Sequence, residues 1–300
     1  MKTEVTLTSD LEAGKGKRPT ASGRLSAASV TGVIIKYLVI TIISVAFILP
    51  FLWLLSSSLK SSAQEFVLPP QWWPKPFKWA NFPDVFSYIP FARFYLNTVT
   101  ITAGTVVGSI LSSVVVAYGF SRMQWKGREL FFNLMLSSLM IPFIVVLIPQ
   151  YLLFHSFGWI NTYYPLIVPA FAGNAFFIFM LRQFFRRIPE EISDAARIDG
   201  AGELRILTHI IVPLARPAIA TVGVFAFMGA WNDFLGPLVY LNSENKYTLA
   251  LGLNMFVSLY SQKWPYLMAA VVMTVVPVIV LFFLFQKSFL RGITLTGVSR

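Results

Sequence analysis

Six stretches of the chain carry long runs of apolar side chains: Tyr37–Leu55, Asn97–Phe120, Leu130–Phe154, Tyr164–Met180, Ala218–Leu241 and Leu267–Phe289. Some contain Pro or isolated polar groups, but each is near the roughly 20 largely apolar residues that a helix needs to cross a bilayer. The pattern predicts an all-α polytopic membrane protein with six transmembrane helices. A separate amphipathic segment between the fourth and fifth predicts further helix outside the bilayer.

Composition supports that reading. Hydrophobic residues make up 56% of the 300, charged residues only 12%, and the mean hydropathy is +0.68. One soluble core of this size cannot hide so much apolar surface, since an ordinary soluble domain carries about 25% charge. The net charge of +11 would suggest nucleic acid in a soluble protein. Here it is a topology signal. Counted by loop, 18 Lys and Arg fall on one side of the six spans and 6 on the other. The positive-inside rule places the rich side, with both termini, residues 121–129 and residues 181–217, in the cytoplasm. Trp72, Trp73, Trp79, Trp159, Tyr163, Tyr164, Tyr260, Trp264 and Tyr266 fall in or beside the outer loops, where such rings sit at headgroup level. The prolines of Pro69-Pro70-Gln71-Trp72-Trp73-Pro74-Lys75-Pro76 exclude regular helix there. Residues 1–32 read as a polar, disordered cytoplasmic tail; a cleaved signal peptide is the competing reading. The first apolar run is longer than a signal peptide needs.

The 36-odd residues between spans four and five are long for a connection, and their pattern is specific. Pro189 suits a first helical turn, and Glu190 and Glu191 suit the positive end of a helix. Ile188, Ile192, Ala195 and Ala196 share one face by spacing, and Gly200 follows as a C-terminal stop. Leu204, Leu207, Ile210 and Ile211 then predict a second amphipathic helix, closed by Pro213. Helix, glycine turn and helix connect directly to two spans, so the unit could dock on a cytoplasmic partner and pass its movement on.

Asp194-Ala195-Ala196, Gly200 four residues on, and Ile210, Val212 and Pro213 resemble the EAA, or coupling, motif of ABC-importer permease subunits. Asp194 stands where the family has Glu, and Val212 where it has Leu. Asn97-Thr98, Ile148-Pro149-Gln150-Tyr151, Trp231-Asn232-Asp233-Phe234-Leu235 and Leu267-Met268-Ala269-Ala270 are similar to the carbohydrate branch, a maltose-permease-like six-span subunit. So is Gly292-Ile293-Thr294-Leu295-Thr296-Gly297-Val298, with its final part altered. The resemblance implies a core of spans over 33–291, a coupling loop over 186–217 and a cytoplasmic tail over 292–300. It implies a prokaryotic cytoplasmic membrane, a second permease subunit, two ATPase subunits and an extracytoplasmic sugar-binding protein. Glu191, Asp194, Ala195, Ala196, Asp199, Gly200, Ala201 and Pro213 become the candidate ATPase-coupling residues.

The chain lacks G-x-x-x-x-G-K-[ST]; Gly14-Lys15-Gly16-Lys17-Arg18 is the nearest run and misses the spacing. ATP is then used by partner ATPases, and no cofactor is expected on this chain. Asp233 is the sole acidic residue within a predicted span; it either faces a sugar path or makes an ion pair or hydrogen bond near the outer end of span five. Asn232, Gln150 and Asn174 are further path candidates, because hydroxyl-rich sugars need amide donors and acceptors, although amides also join helices. With no Cys, and with His155 and His209 far apart in sequence, neither a metal site nor enzyme chemistry is expected. A transporter or channel not driven by ATP remains the alternative, opposed by the single intramembrane acid and the lack of an evident repeat. A helix-turn-helix DNA reader would need a supporting core that this segment lacks.

Overall fold

The computed structural model describes residues 27–258 and 263–297 of the chain, with side chains at 32–257 and 263–286. Residues 1–26 of the expected N-terminal tail and Tyr260 lie outside the described residues, whereas residues 27–32, expected in that tail, are helical. Every regular element among those described is helical, and no strand occurs. The chain divides into two units, residues 1–51 and 52–300.

The first unit holds the start of α1 (Ala27–Ser58), whose side chains from Gly32 to Phe51 are exposed and almost wholly apolar. In the second unit the elements are α2 (Asn81–Tyr88), α3 (Phe91–Ser121), α4 (Arg128–Ser137), α5 (Phe143–Ser156), α6 (Tyr164–Ile167), α7 (Ala175–Phe185), α8 (Glu190–Ile198), α9 (Glu203–Ile206), α10 (Val212–Leu214), α11 (Arg216–Trp231), α12 (Leu235–Tyr240), α13 (Leu249–Ser258) and α14 (Trp264–Gly297). The backbone of α14 runs through most of the segment expected to be a C-terminal tail.

Four segments, Gly32–Ser58, Phe91–Ser121, Tyr164–Phe185 and Trp264–Gln286, are long and apolar enough to cross a membrane, as expected, though Tyr164–Phe185 is interrupted at Gly173. The third expected span is not one straight helix. It bends by 100° between Arg128–Met140 and Phe143–Ser156. Pro142 is the cause, since it lacks an N–H and drives Ile141 into extended backbone. The fifth differs too. Its helix begins at Arg216, bends 82° from Glu203–Leu214 at Ala215, and stops at Trp231 rather than running on to Leu241.

Two apolar cores hold the second unit together. One, at the 186–202 end, packs Ala117, Leu181, Phe185, Ile206, Ile211 and Val222. The other packs Val85, Phe94, Trp231, Leu249, Phe256 and Ala269 at the opposite end. Close approach of α3 to residues 164–172 relies on small residues of α3: a Cβ on Gly104 or Gly108 would lie 2.8 Å from Ile167 or 2.6 Å from Phe171.

One buried charge ties three helices. Arg182 of α7 is 3% exposed and donates through Nη2 to both carboxylate oxygens of Glu129, at 2.6 and 2.8 Å. Its Nε donates to the Phe120 carbonyl at 3.0 Å, and its guanidinium lies 3.8 Å over the Phe132 ring. Glu129 is the more exposed partner, so the two deletions are not equivalent. Glu129→Gln leaves a buried cation poorly compensated and should be the more destabilising, whereas Arg182→Met frees a carboxylate that water can take and should lower stability less. Thermal unfolding in detergent reads the order. A larger loss for Arg182→Met would refute the desolvation argument.

Candidate functional site

Residues 186–215 form the expected helix–glycine–helix, and its turn is a complete Schellman motif. The N–H of Ala201 reaches the Ala196 carbonyl at 2.9 Å and that of Gly200 reaches Arg197 at 3.0 Å. Gly200 has φ +82°, the left-handed backbone for which glycine carries no Cβ penalty. Pro189 sits just before the first helical residue rather than in the first turn, while Glu190 and Glu191 occupy that turn.

The facing of the two helices departs from the spacing argument. In α8 it is Ser193 that is buried, with Ala196 half-buried, while Ile192 and Ala195 are exposed. In the second helix Ile206, Leu207 and Ile211 point inward and Leu204 outward. A π-helical turn over Leu207–Ile211 explains the change, because it widens the spiral by one residue just before Pro213. Such a turn relieves the contact between the Pro213 ring and the carbonyl four residues back. Pro213 therefore lies inside the last turn instead of closing the helix, which ends at Ala215. Of the other expected coupling residues, Glu191, Asp194 and Asp199 are exposed and Ala201 is half-buried.

The loop is fastened to the spans by polar groups that spacing did not single out. The Tyr118 hydroxyl of α3 donates to Glu203, and Glu203 accepts from Arg197 Nε at 2.9 Å. Arg197 also pairs with Asp194 at 2.6 Å. These contacts span both helices of the loop and the end of α3. The Arg197 and Tyr118 hydrogen bonds hold the Glu203 carboxyl below its usual range, and the Glu203 bond raises Arg197. Arg122, 5% exposed, donates through Nη2 to the carbonyls of Phe185 and Ile188, satisfying the orphan C-terminus of α7. Burial pushes the Arg122 guanidinium down. In the sequence Arg122 registers only as a topology charge. Its place at the end of an apolar run was the available sign of a second role. Beyond this fastening, the tip offers apolar surface to solvent: Ile198 is 87% exposed and Leu204 74%.

A second feature lies along the spans. Past α6 the chain makes a 3-10 turn over Val168–Ala172, breaks at Gly173 (φ +96°), and restarts as α7. Asn174 caps the restart, its Oδ1 accepting from the N–H groups of Phe176 and Phe177 at 3.0 and 3.2 Å. A matching break separates α11 from α12. There Asp233 Oδ1 accepts from the Gly236 N–H at 3.0 Å. Both breaks open on one cavity of about 420 Å³, whose lining includes Thr105, Ser109, Asn174, Asp233, Phe143 and Phe225. Irregular backbone at membrane depth is tolerated where it lines a cavity or is buried in protein.

The four path candidates therefore separate. Asn174 and Asp233 share the cavity. Gln150 instead accepts from the Tyr240 hydroxyl at 3.5 Å, beside the stacked Tyr151 and Tyr240 rings, which joins α5 to α12. Asn232 donates to the Met228 carbonyl of its own helix at 2.9 Å. No group of three or more metal-ligating side chains occurs among the described residues.

Residues 101–295 match the family described as binding-protein-dependent transport system inner membrane component. The chain is 32% identical over 260 residues to the diacetylchitobiose uptake system permease protein NgcG of Streptomyces coelicolor, covering 84% of each chain. It is 39% identical over 203 residues to the arabinooligosaccharides transport system permease protein AraQ of Halalkalibacterium halodurans, covering 68% of this chain and 72% of that one. Identity to the maltodextrin transport system permease protein MdxG of Bacillus subtilis is 31% over 279 residues, 91% of this chain and 99% of the other. The fold matches a chain from the crystal structure of a bacterial ABC transporter involved in import of the acidic polysaccharide alginate, with TM-score 0.77 and 26% identity over 87% of this chain and 98% of that one. Motif, bent spans and relatives agree: the chain belongs to the inner-membrane permease components of binding-protein-dependent ABC importers.

Proposed function

We propose that this permease imports a carbohydrate, forming half of a translocation path with a second permease chain and taking its substrate from an extracytoplasmic binding protein. In this reading the Lys/Arg-rich side and both termini are cytoplasmic. The loop over Glu190–Ile211 docks on an ATPase subunit, and ATP is bound and hydrolysed there, not on this chain. The observation that carries the reading is the exposed apolar tip, Ile198 and Leu204 flanking Gly200, on a unit clamped to the spans through Tyr118, Arg197 and Glu203. An apolar tip on a fastened base suits a partner that pushes.

Support for a sugar comes from the names of the relatives and from the cavity at the two breaks. Asn174 and Asp233 offer amide and carboxylate groups to hydroxyls, between aromatic walls. Breaks capped by side chains also let polar groups stand at membrane depth without an orphaned helix end. A transporter or channel not driven by ATP finds no support in the family membership.

The test is reconstitution with the ATPase and the binding protein in proteoliposomes. The expected result is accumulation of diacetylchitobiose, arabinobiose or maltose that requires ATP and the binding protein together. Uptake that persists without ATP would refute the importer assignment.

A further inference from the structure

At the end of the unit opposite the coupling loop, a pocket of about 270 Å³ lies where α1 ends and α14 begins. It is lined by Trp53 and Ser57 of α1, by Lys60, Glu65 and Phe66 just beyond it, and by Trp264 of α14. Its floor is fixed. Asn81 Nδ2 donates to the carbonyls of Ser58 and Lys60, both at 2.8 Å, and the Lys78 N–H donates to the Leu59 carbonyl at 2.9 Å. The turn bearing Lys60 is thereby pinned to the start of α2.

Lys60 is buried and poorly satisfied, and Glu65 is half-buried, hydrogen-bonded to Ser62 but with one oxygen unpartnered. Lys60 is 2% exposed, yet among the described residues its ammonium has only the Trp53 ring, 3.8 Å from the centroid, and a long 3.5 Å hydrogen bond to the Ser57 hydroxyl. No carboxylate lies within ion-pair distance of it among the described residues. Glu65 Oε1 is buried with no hydrogen-bond partner among them. Burial drives the Lys60 ammonium down and the Glu65 carboxyl up, away from their charged forms. A donor seeking an acceptor and an acceptor seeking a donor thus share one small space. A buried polar group left in that state costs about 1–3 kcal/mol, so a ligand that completes both is favoured. The walls are aromatic, with Phe66 and Trp264 edge to face at 6.5 Å.

We propose that this pocket is a second carbohydrate subsite, which takes one hydroxylated ring at the outer mouth of the permease. One hydroxyl accepts from Lys60 Nζ, another donates to Glu65 Oε1, and the C–H face of the ring rests on the Trp264 and Phe66 walls. A hydroxyl both donates and accepts, so a single neutral ring serves both groups without bringing a charge of its own. The volume falls just below the roughly 300–1,000 Å³ typical of ligand pockets, which suits one ring better than a chain. The subsite rests on the proposed orientation and substrate class. It lies on the side from which a binding protein would release sugar.

The test uses the permease–ATPase complex in nanodiscs, without binding protein, titrated with diacetylchitobiose, arabinobiose and maltose and followed by tryptophan fluorescence. The sugar that wild type imports is expected to bind saturably. Lys60→Met should weaken binding roughly ten- to a hundredfold, as expected for loss of a charged hydrogen bond. Trp264→Leu, at a partly exposed site, keeps the test valid where Lys60→Met fails to fold, and should weaken binding about tenfold. An imported sugar that does not bind, or binding unchanged in both variants, overturns the subsite and leaves the import reading standing. Phospholipid held in the pocket and lost with Lys60→Met, read by native mass spectrometry, overturns it in favour of a headgroup site. If no sugar is imported and none binds, both readings fall.

Discussion

Charge placed on the tip of the cytoplasmic loop, as Ile198→Asp with Leu204→Asp, is expected to abolish ATP-driven uptake while the chain still folds in the membrane. Both side chains face solvent, at 87% and 74% exposure, so neither substitution opens a cavity in the fold. Each would bury apolar surface only against a partner. Full burial of a Leu or Ile side chain contributes about 1.5–3 kcal/mol, and a carboxylate forced into the same contact adds an uncompensated charge. Together these predict a loss of ATPase association of a hundredfold or more. Two measurements decide the matter: co-purification of the P-loop subunit, and uptake in reconstituted vesicles. Stable co-purification with unimpaired uptake would show that the ATPase docks elsewhere. Arg197→Ala would differ, because Arg197 holds the loop together through Asp194 and Glu203 rather than presenting it.

The spans were legible where apolarity alone defines them, as in α1, α3 and α14, because lipid leaves a helix no alternative to a long apolar surface. Breaks are a different kind of information. Hydropathy runs unbroken across Met140-Ile141-Pro142 and the chain turns by 100° there. The proline was visible, but a proline in an apolar run can equally sit inside a helix, as Pro50 does in α1 and Pro277 in α14. At Gly173-Asn174 and at Asp233 the side chain itself marks the break, since each caps the helix that restarts. The same residue types that suggested a sugar path are the ones that end helices. Sequence reasoning singled out Asn174 and Asp233, which the fold places on one cavity. It could not separate them from Gln150 and Asn232, which meet neighbouring helix and own backbone instead.

Leu204 shows the limit of periodicity within the loop. Regular 3.6-residue spacing groups it with Leu207, Ile210 and Ile211, and one π-helical turn is enough to send it to solvent. That displacement supplies half of the exposed tip. The clamp at the base was hidden for another reason. Tyr118, Arg122 and Glu203 are 85 residues apart at the extremes, and only the packing of α3 against α7 and the loop brings them together.

Gly200→Val is expected to lower uptake about ten- to thirtyfold with little effect on membrane insertion, whereas Gly200→Asn should keep most of it. The contrast isolates backbone from sterics. A Cβ at Gly200 would meet nothing within 4 Å, so neither side chain clashes with the fold. What each must accept is φ +82°, at a cost of about 1–2 kcal/mol for an ordinary residue, more for a β-branched one and less for Asn. A penalty of that size depopulates the turn by the stated factor. It would loosen the hydrogen bonds from Gly200 and Ala201 that set the angle between the two helices. Ile198 and Leu204 lie on opposite sides of this turn, so their common surface exists only while it is closed. Uptake measured alongside ATP hydrolysis separates the outcomes: Val should raise the ATP hydrolysed per sugar moved, and Asn should leave that ratio near wild type. Equal uptake in the two variants would mean that coupling does not depend on the hand of the turn, and the role assigned to Gly200 would fail.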